Sequence, residues 1–283
     1  TAVVDLRLEF TGTAPASIVF KAGSGFITNY DNSLYQFVIS EDHRTEVVNG
    51  LAIFDNLSIH EGSYITTRTV VNNSIKNQRY LIANSFVDTN TLKIRVFESG
   101  NSSVYKTYEK ASNILEVGSE DRVFFISEVE DEKYEIFFGD GVLGKKLGDG
   151  EVVEISYVTT NGAATNGAKT FTFNGSIVDG NGNSVLVPYS VNTLNTISVA
   201  SGGADIESID NIKFNAPKFF GSQNRAVTGN DFSAIVRKLY PSISDIIVFG
   251  GEDQEPPAYG KVFLSVKPTE AAALSSYTKS ELV

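Results

Sequence analysis

Two runs that alternate apolar and polar residues are joined by a connection holding five glycines, and this stretch limits the fold more than any other. The runs are Tyr134-Glu135-Ile136-Phe137-Phe138 and Val152-Val153-Glu154-Ile155-Ser156-Tyr157. Tyr134, Ile136 and Phe138 share one face of the first. Val153, Ile155 and Tyr157 share one face of the second, the period of two expected of half-buried strands. Gly139, Gly141, Gly144, Gly148 and Gly150 read as positive-φ turn positions, with Asp140 and Asp149 as turn caps. The expectation is two strands tied by a hairpin connection.

The same connection fits the phosphate-loop pattern G-x-x-x-x-G-K from Gly139 to Lys145. Lys146 stands where a Ser or Thr is needed for a magnesium ion, and Leu147-Gly148-Asp149-Gly150 cannot open the helix that would hold the phosphates. These glycines therefore read as backbone corners and not as a nucleotide cradle.

The rest of the chain extends the strand reading. In 283 residues there is room for two or three domains. Strands are expected at Asp5–Phe10, Ser17–Phe20, Gly25–Thr28, Leu34–Ile39, Val47–Val48, Leu51–Phe54, Ser63–Val71, Arg79–Ile82 and Thr91–Phe97. Further on they are expected at Val104–Tyr108 and Val123–Val129, with Glu130-Asp131-Glu132-Lys133 as a charged tip before Tyr134. Asn49-Gly50 is the clearest type I′ hairpin signal, and Glu61-Gly62 is expected to turn the next pair.

Beyond residue 200 the pattern turns helical. Ser208 is placed to cap a helix from Ile209 to about Asn215, ended by Pro217. Thr228 and Asp231 resemble a capping box, followed by an apolar stripe of Phe232, Ile235, Val236 and Leu239 and a stop at Tyr240-Pro241. Strands at Ile243–Phe249 and Lys261–Lys267 flank the Gly250–Gly260 loop, and Ser276–Val283 begins another helix. The fold class is mainly β with a C-terminal α+β domain, multidomain, built of antiparallel sheets and hairpins. The divisions are 1–103 (β-rich), 104–200 (β-rich, with the Phe138-Gly139-Asp140-Gly141 hairpin) and 201–283 (α+β).

Little in the sequence points to catalysis. There is no cysteine, and the only two histidines, His43 and His60, lie without ligand spacing around them. Both are read as structural. No nucleophile elbow is present. Asp179-Gly180-Asn181-Gly182-Asn183 begins like a calcium loop, but Ser184 and Ser190 replace its glycine and its bidentate Glu. A turn between Ile177-Val178 and Val185-Leu186-Val187 fits better. Paired carboxylates of a glycoside hydrolase leave no spacing signature and stay open. No catalytic, cofactor-binding or metal-ligating residue and no cofactor is assigned. The net charge of −11 and pI near 4.7 oppose a nucleic-acid surface, and no run suits a membrane span. The opening Thr1-Ala2-Val3-Val4, lacking a Met, suggests that upstream sequence is missing.

Several ordered motifs carry a resemblance. Phe138-Gly139-Asp140-Gly141 with Gly144, then Asn161-Gly162-Ala163-Ala164-Thr165-Asn166-Gly167, resemble the baseplate J-like proteins of contractile phage tails, and within them the baseplate wedge family. Gly202-Gly203-Ala204-Asp205, Glu207-Ser208-Ile209, Asn215-Ala216-Pro217, Asn224-Arg225-Ala226-Val227-Thr228, Asp231-Phe232, Tyr240-Pro241 and Gly250-Gly251-Glu252-Asp253 follow in that family's order. Ile18–Phe26 and Gln78–Ile94 match it more loosely. The motif residues carried over are Phe138, Gly139, Asp140, Gly141, Gly144, Asp205, Glu207, Arg225, Thr228 and Asp231. Arg225 is expected to pair with Asp205, Glu207 or Asp231 and to support the fold.

The resemblance implies a non-enzymatic structural component of a contractile-tail baseplate wedge. It would dimerise, join other wedge proteins, close with ring neighbours around the tail hub, and rearrange when the sheath contracts. It would reside in the virion tail baseplate after assembly in the host cytoplasm. The alternative is a glycan-binding or glycan-cleaving tail module. The two differ in surface: a glycan site exposes aromatic faces beside acids in a cleft, while an assembly protein exposes an apolar patch.

Overall fold

The computed structural model describes the chain apart from residues 11–12, 113, 131–132, 186–191, 206–207, 224, 241–242, 269–278 and 280–283. The first strands are β1 (Ala2–Glu9), β2 (Ser17–Phe20), β3 (Gly25–Tyr30), β4 (Ser33–Val38), β5 (His43–Glu46) and β6 (Leu51–Glu61). Next come β7 (Ser63–Val70), β8 (Tyr80–Ile82), β9 (Val87–Phe97), β10 (Tyr105–Lys110), β11 (Val123–Val129), β12 (Lys133–Phe138) and β13 (Val152–Thr159). They are followed by β14 (Thr172–Phe173), β15 (Ile177–Asp179), β16 (Ser184–Val185) and β17 (Asn192–Ser198). Helices α1 (Ile209–Ser222) and α2 (Gly229–Leu239) precede the last strands, β18 (Ile243–Gly250) and β19 (Val262–Pro268). The chain is mostly β with a C-terminal α+β region, as its strand-like spacing and late helical periodicity anticipate.

The sheets follow a different division from linear cuts at 103 and 200. A six-stranded sheet, β14-β3-β4-β6-β1-β17, and a four-stranded sheet, β16-β15-β2-β5, both draw on residues before Gly62 and after Gly167. Leu6, Leu8, Ile18, Phe20, Phe26, Phe37, Phe54, Phe173 and Ile177 make one core from both sheets. The intervening residues 63–159 form a seven-stranded sheet of their own, β7-β13-β9-β10-β11-β12-β8. A cut at 103 would separate β9 from β10, which pair antiparallel from Phe97↔Tyr105 to Ile94↔Tyr108. The middle body is therefore an insertion in the first, and its second core holds Ile94, Phe124, Ile136, Val153, Ile155 and Tyr157.

Four local expectations change. β12 and β13 do not form a hairpin with each other, because β9, β10 and β11 lie between them. β12 pairs with β11 from Phe124↔Phe138 to Val129↔Lys133. β13 is buried from Val152 to Val158, on both faces and not one, and β7 and β9 pair along its two edges. Glu61-Gly62 does not turn a hairpin either: β6 and β7 lie in different sheets, and Gly62, at φ 121°, carries the chain from one body to the other. One strand pair, β10 with β11, runs parallel, against the otherwise antiparallel expectation.

Asn49-Gly50 does turn as its sequence demands, with φ of 52° and 76° and paired bonds between Val48 and Leu51. In the C-terminal unit, α1 starts at the Ser208 cap, whose Oγ accepts from the Asn211 N–H at 3.3 Å, but continues through Pro217 to Ser222. Pro217 removes a single ladder donor, and packing of α1 on α2 offsets that loss. Val236, Tyr240 and Ile243 form a small third core. Of the helix expected over Ser276–Val283 only Lys279 is described, and the residues Leu186-Val187, Asn224 and Pro241 and the centre of the charged tip at Asp131-Glu132 lie outside the described residues.

Candidate functional site

The glycine connection after β12 is a set of close backbone contacts. The Phe138 ring packs inward, edge-on to Tyr80 at 5.5 Å and to Tyr108 at 5.4 Å. Gly139 is not at positive φ; a Cβ there would run into the backbone of Gly144. Asp140 Oδ1 accepts the N–H of Val142 at 2.8 Å and of Leu143 at 3.0 Å, and these bonds, Leu143 foremost, hold its carboxyl below the usual range. Gly141 and Gly144 do adopt positive φ, 94° and 84°, with the Gly141 N–H donating to the Gly144 carbonyl at 3.0 Å.

The second turn divides the same way. Gly150 is at φ 80°, while Gly148 is not at positive φ and donates its N–H to Glu151 Oε2 at 2.7 Å. Asp149 Oδ1 accepts from the Asn73 N–H at 2.9 Å. The chain then enters β13 without any helix, so the lysines of this stretch face no helix N-terminus.

Two motifs some forty residues apart meet at the junction of the β bodies. Asn166 Nδ2 donates to the Gly203 carbonyl at 2.8 Å and Asn166 Oδ1 accepts the Gly203 N–H at 3.1 Å. Gly203 has no room for a Cβ against the Gly162 carbonyl, and Gly162, at φ 66°, lies under the Asp205 carboxylate. Asp205 Oδ1 accepts the Ala163 N–H at 3.4 Å, and Tyr30 Oη donates to the Asn166 carbonyl at 2.7 Å.

The other side of the junction is held by Glu61, which the sequence offers only as half of a turn. It is 6% exposed. Its Oε2 accepts from Thr160 Oγ1 at 2.9 Å and the Asn161 N–H at 2.8 Å, and its Oε1 accepts from Asn161 Nδ2 at 2.6 Å. One carboxylate therefore ties the exit of β6 to the exit of β13. The signal was an acid directly before a glycine at a strand end.

A cleft of about 820 Å³ opens beside this junction, lined by His60, Glu61, Asp88, Asn90, Thr165 and Tyr240 among others. Asp88 Oδ2 lies 3.8 Å from His60 Nδ1 and its Oδ1 accepts the Asn90 N–H at 3.0 Å. Burial pushes the Asp88 carboxyl up, but the His60 contact and the Asn90 bond outweigh it and hold it low. Both acids in the cleft are thus committed to protein partners. Its one aromatic lining residue among the described residues, Tyr240, is 8% exposed. His43 lies apart on β5, opposite Phe20.

The remaining motif residues shape helix ends. Thr228 Oγ1 accepts the Asp231 N–H at 3.3 Å and Asp231 Oδ2 accepts the Thr228 N–H at 2.8 Å, a reciprocal capping box. The Thr228 backbone bond, foremost, lowers the Asp231 carboxyl. Arg225 does not form the expected ion pair with Asp205 or Asp231; its Nη2 donates to Gln223 Oε1 at 3.0 Å, because Asp231 is taken by the cap. Glu207 lies outside the described residues. In the apolar stripe of α2, Val236 is buried but Leu239 is 59% exposed, and Tyr240 is buried in its stead.

Asp179 folds its carboxylate into its own turn. Oδ1 accepts the N–H of Asn181 and of Asn183, each at 2.8 Å, and Oδ2 accepts Asn183 Nδ2 at 3.0 Å, within the hairpin of β15 and β16. Ser190 lies outside the described residues. Among the described residues no three His, Cys, Asp or Glu side chains converge as metal ligands, and no helix is long and apolar enough to cross a membrane.

The class these features define is a strand-rich scaffold whose motif residues make corners, caps and a seam between sheets. Its relatives agree. Residues 66–168 match the family described as bacteriophage baseplate wedge protein gp6, third domain, and residues 228–283 match baseplate structural protein gp6, C-terminal domain I. The chain is 22% identical over 263 residues to baseplate wedge protein gp6 of Enterobacteria phage T4. That similarity covers 88% of this chain and 38% of the T4 protein, so the chain spans well under half of its relative's length. The chain is related to the baseplate wedge proteins of contractile-tailed bacteriophages.

Proposed function

We propose that the chain is a non-enzymatic structural segment of a baseplate wedge, located in the virion tail and assembled in the host cytoplasm. It joins other wedge proteins, pairs with a second copy of itself, and closes with neighbours into a ring around the tail hub. The observation that carries this reading is the outer side of α1. Ile209, Ile212, Ala216 and Phe220 recur at helical spacing, and all four are exposed, Ile209 by 70% and Phe220 by 83%. Such a stripe in an otherwise acidic chain is the mark of a surface that another protein covers. A contact limited to one helix face breaks when the ring loosens on sheath contraction more readily than an obligate core does.

The glycan reading is less well supported. Its cleft would need free acids beside exposed aromatic faces. Glu61 and Asp88 are both bonded within the protein, and Tyr240 shows almost no face to solvent.

Sedimentation across a concentration series tests the self-pairing. The wild-type chain is expected to form a dimer or larger species, and Ile209→Ser with Phe220→Ser to shift it to monomer with unchanged far-UV circular dichroism. A wild-type chain that remains strictly monomeric at high concentration would count against self-association through this segment.

A further inference from the structure

The edge of the seven-stranded sheet at β7 is closed at its two ends and open in the middle. β7 pairs with β13 from Ser63↔Thr159 to Val70↔Val152 with no break in register, and no described strand lies on its other side. The direction of each backbone group follows from alternation. The Val71 N–H donates toward the sheet, to the Glu151 carbonyl at 2.8 Å. The Gly62 N–H donates away from it, to the Gln36 carbonyl at 2.8 Å, and the Val70 carbonyl accepts from Gln78 Nε2 at 3.2 Å. Even-numbered residues therefore turn their N–H and C=O outward. Tyr64, also even-numbered, is half-buried, and at the two ends the Gly62 N–H and the Val70 carbonyl are engaged. Thr66 and Arg68, between them, present theirs to solvent, and every residue from Thr66 to Val70 is exposed.

Natural edges are blunted by proline, by a bulge, or by a charge standing along the edge. β7 has no proline and no bulge. Its one charge is drawn back over the sheet: Arg68 Nη2 is 2.7 Å from Glu154 Oε2, and its guanidinium lies 4.7 Å above the Phe97 ring. Glu154 also faces Arg95 at 3.7 Å, so two guanidinium groups share one carboxylate. The Arg68 side chain is still 53% exposed. The slot thus offers free backbone donors and acceptors, β-branched Thr67 and Thr69, and an under-neutralised cation.

We propose that this slot receives an extended segment of another protein as an eighth strand, with a carboxylate side chain opposite Arg68. Backbone bonds to Thr66 and Arg68 supply affinity, and the acid supplies register and choice of partner. A second copy of this chain fits the slot poorly. Two β7 edges paired antiparallel bring their Arg68 side chains to opposite or diagonal positions, where like charges repel. The inference concerns a different surface from α1 and does not depend on self-pairing there.

The test uses the full chain and two labelled peptides, Thr-Val-Glu-Val-Thr-Val and the same peptide with Lys for Glu. Binding is read by fluorescence anisotropy and by hydrogen exchange at the Thr66 and Arg68 amides. The Glu peptide is expected to bind about tenfold more tightly than the Lys peptide and to slow exchange at those two amides. Arg68→Gln should erase the preference while leaving the protection, and Thr66→Pro, which removes one outward donor, should weaken both peptides. Should Thr66→Pro fail to fold, the Arg68→Gln comparison still decides. Binding of neither peptide overturns the proposal. So does protection of both amides in the free chain, which would mean that the chain covers its own edge. Protection that grows with chain concentration would assign the slot to a second copy and also overturn it.

Discussion

The two β bodies and the C-terminal unit solve the problem of burial in opposite ways. In the first body Phe20 meets Phe26 at 5.7 Å, Phe54 at 5.8 Å and Phe173 at 5.4 Å, and each of the four rings is nearly or fully buried. Among the described residues the C-terminal unit buries Val236, Tyr240 and Ile243 in its core, with Ile246, Leu264 and Val266 partly buried against them, and leaves Ile209, Phe214, Phe220, Ile247 and Tyr259 outside. The difference separates a framework that is complete in itself from an element whose apolar surface is completed by contact.

Substitution of one ring from each region breaks or upholds that contrast. Phe20→Ala is expected to cost about 3–5 kcal/mol, the range for a large buried aromatic. Phe220→Ala should change stability by no more than about 0.5 kcal/mol, as exposed positions do, while weakening self-association. Denaturant unfolding and sedimentation of both variants give the answer. Equal destabilisation by the two would show that α1 is part of a core.

The next effect asks whether the β bodies behave as one unit. Gly62→Ala places a Cβ against the Thr159 carbonyl at φ 121°, where strand exits meet. The expected loss is roughly 3 kcal/mol, from overlap and strained φ together. Hydrogen exchange should quicken in both β6 and β13, because Glu61 bonds to the exit of β13 and Gly62 packs directly against it. Faster exchange confined to one body would mean that the junction transmits nothing.

Within the glycine connection a smaller effect sharpens the reading of turn chemistry. Gly141→Val meets open space, the nearest atom being Lys146 Cβ at 3.8 Å, so its cost comes from φ alone and is expected at about 1–2 kcal/mol. Gly139→Ala should cost more, since its Cβ meets the Gly144 backbone at an ordinary φ. Thermal unfolding of the pair distinguishes a conformational reason for glycine from a spatial one. A reversed order would remove that distinction.

What the sequence revealed follows from where each element sits. Strands with one apolar face, such as β2 and β11, announce themselves. The strands that went unread, β5, β14 and β17, lie at sheet edges; His43-Arg44-Thr45-Glu46 and Asn195-Thr196 meet no core requirement, and β14 is two residues long with Phe173 its one buried side chain. β13 was legible as a strand but not as a central one, because Glu154 and Ser156 look like a solvent face. In the fold Glu154 is buried against Arg68 and Arg95. Local chemistry was readable at Asn49-Gly50 and at Thr228 with Asp231. The junction was not, because Glu61 acts on Thr160 and Asn161, about a hundred residues away, and no local pattern encodes such a pairing.

The smallest expected effect lies in the cap of α2, and it is a pH effect with a definite sign. Asp231 accepts the Thr228 N–H, and its carboxyl is lowered by that bond. A group whose folded pKa lies below its unfolded value adds stability above the unfolded value and loses it as pH falls through the folded one. The C-terminal unit should therefore lose helix content as the solution is acidified below the ordinary carboxylate range, and not at neutral or alkaline pH. Asp140 is lowered by similar backbone bonds and Asp179 first by the Asn183 side chain and then by backbone bonds, and both contribute the same trend elsewhere in the chain. The difference between wild type and Asp231→Asn isolates the cap. Far-UV circular dichroism should show the variant less helical at neutral pH, with the gap closing in acid. The absence of a gap at neutral pH would mean that α2 is held by its packing on β18 and not by its cap, and the contrast between the regions would then be one of degree.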